Sequence, residues 1–172
     1  MANTFIKIAT VTVGAGGASS LAFTSIPQTY TDLCIKFSGR FSNDPNSGSN
    51  SWVELGFNGQ GAAVNNTGRI LQGNGTNASS STNYTYIYIP TSGATANTFS
   101  NVSIYIPNYT SSNQKTFSTD SVSENNASFA VAQLADNLWT GTAAINAFTI
   151  HQRSGYTFQQ HSSATLYGIK NS

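Results

Sequence analysis

Charge is what this sequence has least of. Seven Lys and Arg and six Asp and Glu make up 8% of 172 residues and cancel to a net charge of +1, against roughly 25% charged residues in an ordinary soluble domain. Nucleic-acid binding driven by counterion release needs a basic face, and seven cations scattered along the chain do not make one. Cysteine occurs once, at Cys34, which excludes an internal disulfide framework and any cysteine-based zinc site. Long apolar runs are missing. No stretch approaches the ~20 residues of a membrane-spanning helix, and Lys7, Thr10 and Thr12 interrupt the N-terminal apolar residues that a signal peptide would keep together. The expected setting is therefore the cytoplasm, or an assembly that leaves the cell without secretion, and not a membrane. Aromatics, in contrast, reach 12%, and with a near-zero net charge this is not the composition of a disordered chain.

Periodicity is two almost throughout, the mark of half-buried strands. Strands are expected over Phe5–Val13, with a bulge near Ala9 where the apolar face changes sides. Further strands are expected over Leu21–Phe23, Leu33–Phe37, Trp52–Phe57 and Arg69–Gln72, and over Tyr84–Ile89, where Pro90 stops the run. Val102–Ile106, Lys115–Val122, Ser128–Leu134, Ala144–His151 and Ala164–Ile169 complete the set. Gly73–Asn83 reads as a polar loop, and Ala130–Trp139 as the one stretch able to form a helical turn. About 8–10 short strands with closely spaced turns predict an all-β fold, an antiparallel β-sandwich or a barrel. The length suits one domain over residues 1–172.

Catalytic chemistry finds little footing. Gly14-Ala15-Gly16-Gly17-Ala18 lacks the third glycine and the following helix of a dinucleotide loop, so a hairpin turn is expected. His151 and His161 have no metal-like spacing, and Cys34, between Leu33 and Ile35, reads as a packed thiol. Serines are too many to single out a nucleophile, and no G-x-S-x-G elbow is present. Asp120 and Glu124 on one strand face stand about 13 Å apart, wider than the roughly 5–9.5 Å of paired glycosidase carboxylates. Glu54 with Asp120 stays open as a fold-distant pair. The expectation is a protein with no cofactor, no metal and no enzymatic activity.

Tyrosine is the informative residue. Tyr84, Tyr86 and Tyr88 alternate on one strand face, with Tyr105 and Tyr109 as neighbours to be tested. A flat apolar ring with a polar tip suits a surface that is both wet and adhesive, so these five are the candidate subunit or shell contacts. Edge strands normally carry charge to stop unwanted pairing. With so few charges available, the edges of this sandwich are expected to be hidden in an oligomer or a larger particle.

Four segments carry a family resemblance. The run IATVTVGAGGASSLAFTSIPQTYTD from Ile8 to Asp32 resembles the start of a family of tailed-phage virion proteins common among marine and cyanobacterial phages. YIPNYTSSNQK from Tyr105 to Lys115, SVSENN from Ser121 to Asn126 and SATLYGI from Ser163 to Ile169 are similar to later signatures of the same family. The resemblance spans nearly the whole chain and is weakest over Asn43–Thr82. It implies a structural protein of the virion, and for a free-standing module of this size a capsid decoration (cement) protein: a jelly-roll-like homotrimer that braces the major capsid protein on the head surface. Met1–Lys7 would be an arm added to a neighbouring sheet. The same modules also occur in tail fibres. The alternative is therefore a receptor-binding module whose Asn-, Ser- and Gly-rich loops at Asn43–Asn50 and Gly73–Asn83, with Trp52 for stacking, recognise host glycans.

Overall fold

The computed structural model describes residues 4–44, 48–61, 64–83, 86–125, 130–153 and 155–170. Among them run twelve strands: β1 (Phe5–Thr12), β2 (Ser20–Phe23), β3 (Asp32–Ser38), β4 (Asn50–Phe57), β5 (Asn66–Gly73), β6 (Ala78–Asn83), β7 (Tyr86–Pro90), β8 (Asn101–Ile106), β9 (Lys115–Ser123), β10 (Val131–Trp139), β11 (Phe148–Gln152) and β12 (Ser163–Ile169). They pair antiparallel into two sheets, not a barrel: an eight-stranded sheet ordered β1-β12-β3-β8-β9-β10-β5-β6 and a four-stranded sheet ordered β2-β11-β4-β7. The expected all-β class and short antiparallel strands are present. Tyr84, positions 45–47 of the Asn43–Asn50 turn, residues 1–3 of the proposed N-terminal arm and 126–129 at the start of the strand expected over Ser128–Leu134 lie outside the described residues.

One buried cluster is shared by both sheets. Leu33, Ile35 and Phe37 of β3 and Val102, Ile104 and Ile106 of β8 meet Val53, Leu55 and Phe57 of β4 and Phe148 and Ile150 of β11. Each is an alternate residue of its strand, so the period-two pattern in the sequence translates directly into one inward face. Full burial of each such side chain contributes about 1.5–3 kcal/mol. An aromatic knot closes one end, where Phe57 packs against Phe117, Trp139 and Phe148 at centroid distances of 5.2, 5.3 and 5.5 Å.

The expected bulge in β1 is present: the register with β12 slips between Lys7 and Ala9. Phe5–Lys7, assigned to an arm for a neighbouring sheet, instead pairs with Tyr167–Ile169 of its own chain. Gly14–Ala18 does turn, with Gly17 N–H donating to the Gly14 carbonyl at 3.1 Å and Gly17 at φ +72, which glycine adopts without cost. It is not a hairpin, because β1 and β2 lie in different sheets.

One strand contradicts the sequence reading and another runs beyond it. The polar loop expected over Gly73–Asn83 contains β6, which pairs with β5 from Gly68↔Asn83 to Gly73↔Ala78. Its tip is an Asx turn in which Asn74 Oδ1 accepts from the N–H groups of Thr76 (3.1 Å) and Asn77 (2.7 Å). The sequence ASSSTN carries no apolar alternation, so nothing local marks it as a strand. The strand expected over Ser128–Leu134 is present from Val131 and continues as β10 through Trp139, where the sequence allows a helical turn, paired on both sides with β5 and β9. Its inner face holds Gln133 and Asn137 and its outer face Leu134. Polar residues inside and apolar residues outside cancel the usual hydrophobic signal of a strand.

Gln133 shows why a polar residue sits inside. β7 is an edge of the four-stranded sheet. The Tyr88 N–H there donates to Gln133 Oε1 at 3.0 Å, and Ser121 Oγ reaches the same oxygen at 3.4 Å. Across the same seam Ser123 Oγ donates to Asn50 Oδ1 at 3.0 Å. Side chains of the large sheet thus occupy an edge that would otherwise present open hydrogen-bonding groups to another chain.

Candidate interaction site

The alternation of β4 and β7 places Trp52 and Glu54, with Tyr86 and Tyr88, on the outer face of the four-stranded sheet. The register sets Trp52 opposite Tyr88 and Glu54 opposite Tyr86. The three rings form a closed cluster, with centroids 5.9 Å apart for Trp52–Tyr86, 6.0 Å for Trp52–Tyr88 and 5.6 Å for Tyr86–Tyr88. Arg153, just past β11, lays its guanidinium 3.9 Å above the Trp52 ring, a cation–π contact. Trp52 Nε1–H points to Glu54 Oε1 at 3.4 Å. Burial, and then the neighbouring Tyr86, hold the Tyr88 hydroxyl above its usual pKa, with Arg153 pulling the other way.

Tyr86 and Tyr88 therefore share a face, as the alternation predicted. Tyr105 does not join them: it is exposed on β8 of the other sheet, where its hydroxyl donates to Asp32 Oδ2 at 2.7 Å. That hydrogen bond is the main reason its pKa is raised. Tyr109 is a correction. It is fully buried in the core, its hydroxyl donates to the Pro27 carbonyl, and burial raises its pKa. A side chain with no exposed surface cannot be a subunit or shell contact. Trp52 and Arg153 complete the cluster instead. Arg153 follows a strand end and carries no local signal of its role.

His151 faces Glu54 across β11 and β4. Gly56 makes room for it, since a Cβ there would fall 2.5 Å from His151 Nε2 and 2.6 Å from the Gln60 carbonyl oxygen. Burial lowers the His151 pKa below its usual value, with Glu54 and the Gln60 carbonyl opposing. A folded-state pKa below the unfolded value of about 6.5 leaves stability intact above that pH and removes it as pH falls through the folded value. Unfolding midpoints measured from pH 8 to pH 5 should hold steady down to about 6.5 and then fall. His151→Gln should flatten that acid limb, and an identical limb in both proteins would show that His151 does not cause it.

Neither pairing nor metal chemistry converges here. Glu54 stands on the outer face of the small sheet and Asp120 on the outer face of the large one, with the core between them. They cannot flank one scissile bond. Cys34 is buried on β3, as a packed thiol. Among the described residues no three or more His, Cys, Asp or Glu are grouped to hold a metal ion, and no helix is long and apolar enough to cross a membrane.

A second surface lies on the large sheet. Leu134 and Leu71, 57% and 60% exposed, are direct cross-strand partners on the outer faces of β10 and β5, with Val122 of β9 close by at 42%. A shallow depression of about 660 Å³ on this face is floored by Leu71 and Leu134. Sequence reasoning missed these residues because they are the out-of-phase apolar positions of strands whose inner faces mix polar with apolar side chains. No family model, curated protein or solved structure matches the chain.

Proposed function

We propose that this chain is a non-enzymatic structural protein of a phage virion, a capsid decoration protein that binds the assembled head shell. The observation that carries this reading is the strand order. Setting aside the β5–β6 and β9–β10 hairpins leaves β1-β12-β3-β8 in one sheet and β2-β11-β4-β7 in the other. The chain then changes sheet at every connection except β4 to β7. That order supports an eight-stranded jelly roll, an architecture recurrent in viral shells, and agrees with the fold that the four resembling segments imply. Fold alone does not carry function, and the surfaces add the rest: the faces that stand out are adhesive rather than catalytic.

In this reading the mechanism is mechanical. A protein that binds only the assembled shell stabilises that state by mass action, and many equivalent sites multiply the effect. Copies added to undecorated shells should bind and raise the shell melting temperature, and light scattering should show the trimer that the resemblance implies. Absence of shell binding, together with adhesion to host cells, would move the assignment to a tail receptor-binding module.

That second reading has its own supporting observation, the half-exposed Trp52, Tyr86 and Tyr88 cluster, since accessible aromatic rings stack on sugars. Against it, Arg153 already covers one face of Trp52, and the tyrosines pack edge-on to Trp52 or to each other. Trp52→Ala should abolish adhesion to glycan if the second reading holds.

A further inference from the structure

The outer face of β9, β10, β5 and β6 carries side chains in ranks set by the strand register. One rank reads Ser80, Leu71, Leu134, Asp120. The next reads Thr82, Arg69, Asp136, Ser118. In each the order across the strands is β6, β5, β10, β9. A two-fold axis parallel to the strands, midway between β5 and β10, reverses each rank onto itself. Leu71 of one copy then faces Leu134 of the other, Ser80 faces Asp120, and Arg69 faces Asp136. Every central pairing is complementary: apolar on apolar, hydroxyl on carboxylate, cation on anion.

From this self-complementarity we propose that the face is an isologous contact between two copies of this chain. The charged pair is poised for it. The Asp136 carboxylate is pinned on the outer face by the Arg69 backbone N–H at 3.1 Å, while among the described residues the Arg69 guanidinium donates to the carbonyl of Gly68 at 3.3 Å. Both side chains are exposed. Sheets packed face to face keep their strands within about 30°, so the central ranks keep their register and the outer ones drift.

Area sets the strength. Four strands about 4.8 Å apart and seven residues at about 3.3 Å give a footprint of about 400 Å² per copy. Two copies bury about 800 Å² before side-chain relief, less than the roughly 1,200–2,000 Å² of a standard stable interface. The contact is therefore reversible in solution and gains strength where copies are already held side by side on an array. A closed three-fold ring needs a heterologous contact elsewhere, so this two-fold contact is compatible with a trimer, and three such contacts closing between two trimers also double the mass. It does not depend on a virion role.

Sedimentation equilibrium over a wide concentration range tests it. The wild-type mass should double reversibly from its low-concentration value, and Leu134→Asp should abolish the doubling. Arg69→Asp places Asp against Asp at the axis and Asp136→Arg places Arg against Arg, so each variant alone should associate at least about tenfold more weakly. An equimolar mixture of the two restores both opposite-charge pairs across the axis and should associate within about threefold of wild type. Only an intermolecular contact that sets residue 69 of one copy against 136 of the other predicts that recovery, because mixing leaves each folded chain unchanged, and a mass that stops at double identifies the contact as closed. Thermal unfolding of each variant reports whether its fold is intact. A wild-type mass that never rises, doubling that survives Leu134→Asp in a folded protein, or a mixture no better than its components would each overturn the proposal.

Discussion

Lys115→Met is expected to destabilise the protein by about 3–4 kcal/mol and to lower the melting temperature by about 10 °C. Lys115 begins β9 facing inward and is 2% exposed. Its ammonium donates to the carbonyls of Ser111, Thr142 and Ala143 at 2.7, 3.0 and 2.6 Å and lies 5.3 Å from the Trp139 ring centroid. Its partners are carbonyl dipoles, not a carboxylate, and burial lowers its pKa. One charged group thus ties two loops, 107–114 and 140–147, to the end of the core. Methionine keeps the stem and loses all three donors, leaving three part-buried carbonyls to find water or stay unpaired, at up to about 1–3 kcal/mol each. Urea unfolding should show a lower midpoint with an unchanged slope. A thermal shift below about 2 °C would mean that water replaces the ammonium at little cost.

Arg40→Met should cost a similar amount, about 3–4 kcal/mol, but the loss should be felt first in one loop. Arg40 is 4% exposed between β3 and β4. Nη1 donates to the carbonyls of Thr95 (2.9 Å) and Thr98 (3.1 Å) and to Thr98 Oγ1 (3.1 Å), and Nη2 to the Ala94 carbonyl (3.1 Å). The planar fork therefore holds the turns between β7 and β8 from the inside. Its own backbone is fixed as well, with the N–H on Ser162 Oγ at 3.1 Å and the carbonyl accepting from Gln159 at 2.8 Å. Without the guanidinium, residues 94–98 should open locally and become cleavable by a protease that spares the wild type. Arg40→Lys should fall between the two, because one ammonium cannot span the Ala94 and Thr98 carbonyls with the fork's geometry. Equal proteolysis of wild type and Arg40→Met would remove the guanidinium as the loop's anchor.

These two cations also show how little a charge count reveals. Two of the seven Lys and Arg are interior loop anchors. The surface is left with fewer cations than the sequence suggests, and Arg69 and Arg153 each acquire a particular setting.

What the sequence determined by itself was the class and the core. The alternations Leu33-Ile35-Phe37, Val53-Leu55-Phe57 and Val102-Ile104-Ile106 state which residues share a face, and in each case that face is the buried one. The change of face near Ala9 gave away the bulge, and the Tyr86–Tyr88 alternation gave away their common side. Such patterns are local, so they survive any choice of partner strand. Tertiary structure decided everything that depends on which face meets what. β6 exists because β5 offers it an edge, since its own residues carry no preference. β10 continues past the expected end at Leu134 because β5 and β9 flank it, although Gln133 and Asn137 face inward and Leu134 outward. Tyr109, a candidate contact in one dimension, is buried with its hydroxyl on the Pro27 carbonyl, and Lys115 and Arg40 are buried with their donors on loop carbonyls. The pairing of Arg69 with Asp136 and of Leu71 with Leu134 needs a register between strands more than sixty residues apart in the chain, which no local periodicity can supply. A period of two fixes a side chain's side of its own strand. Only long-range pairing fixes what that side touches.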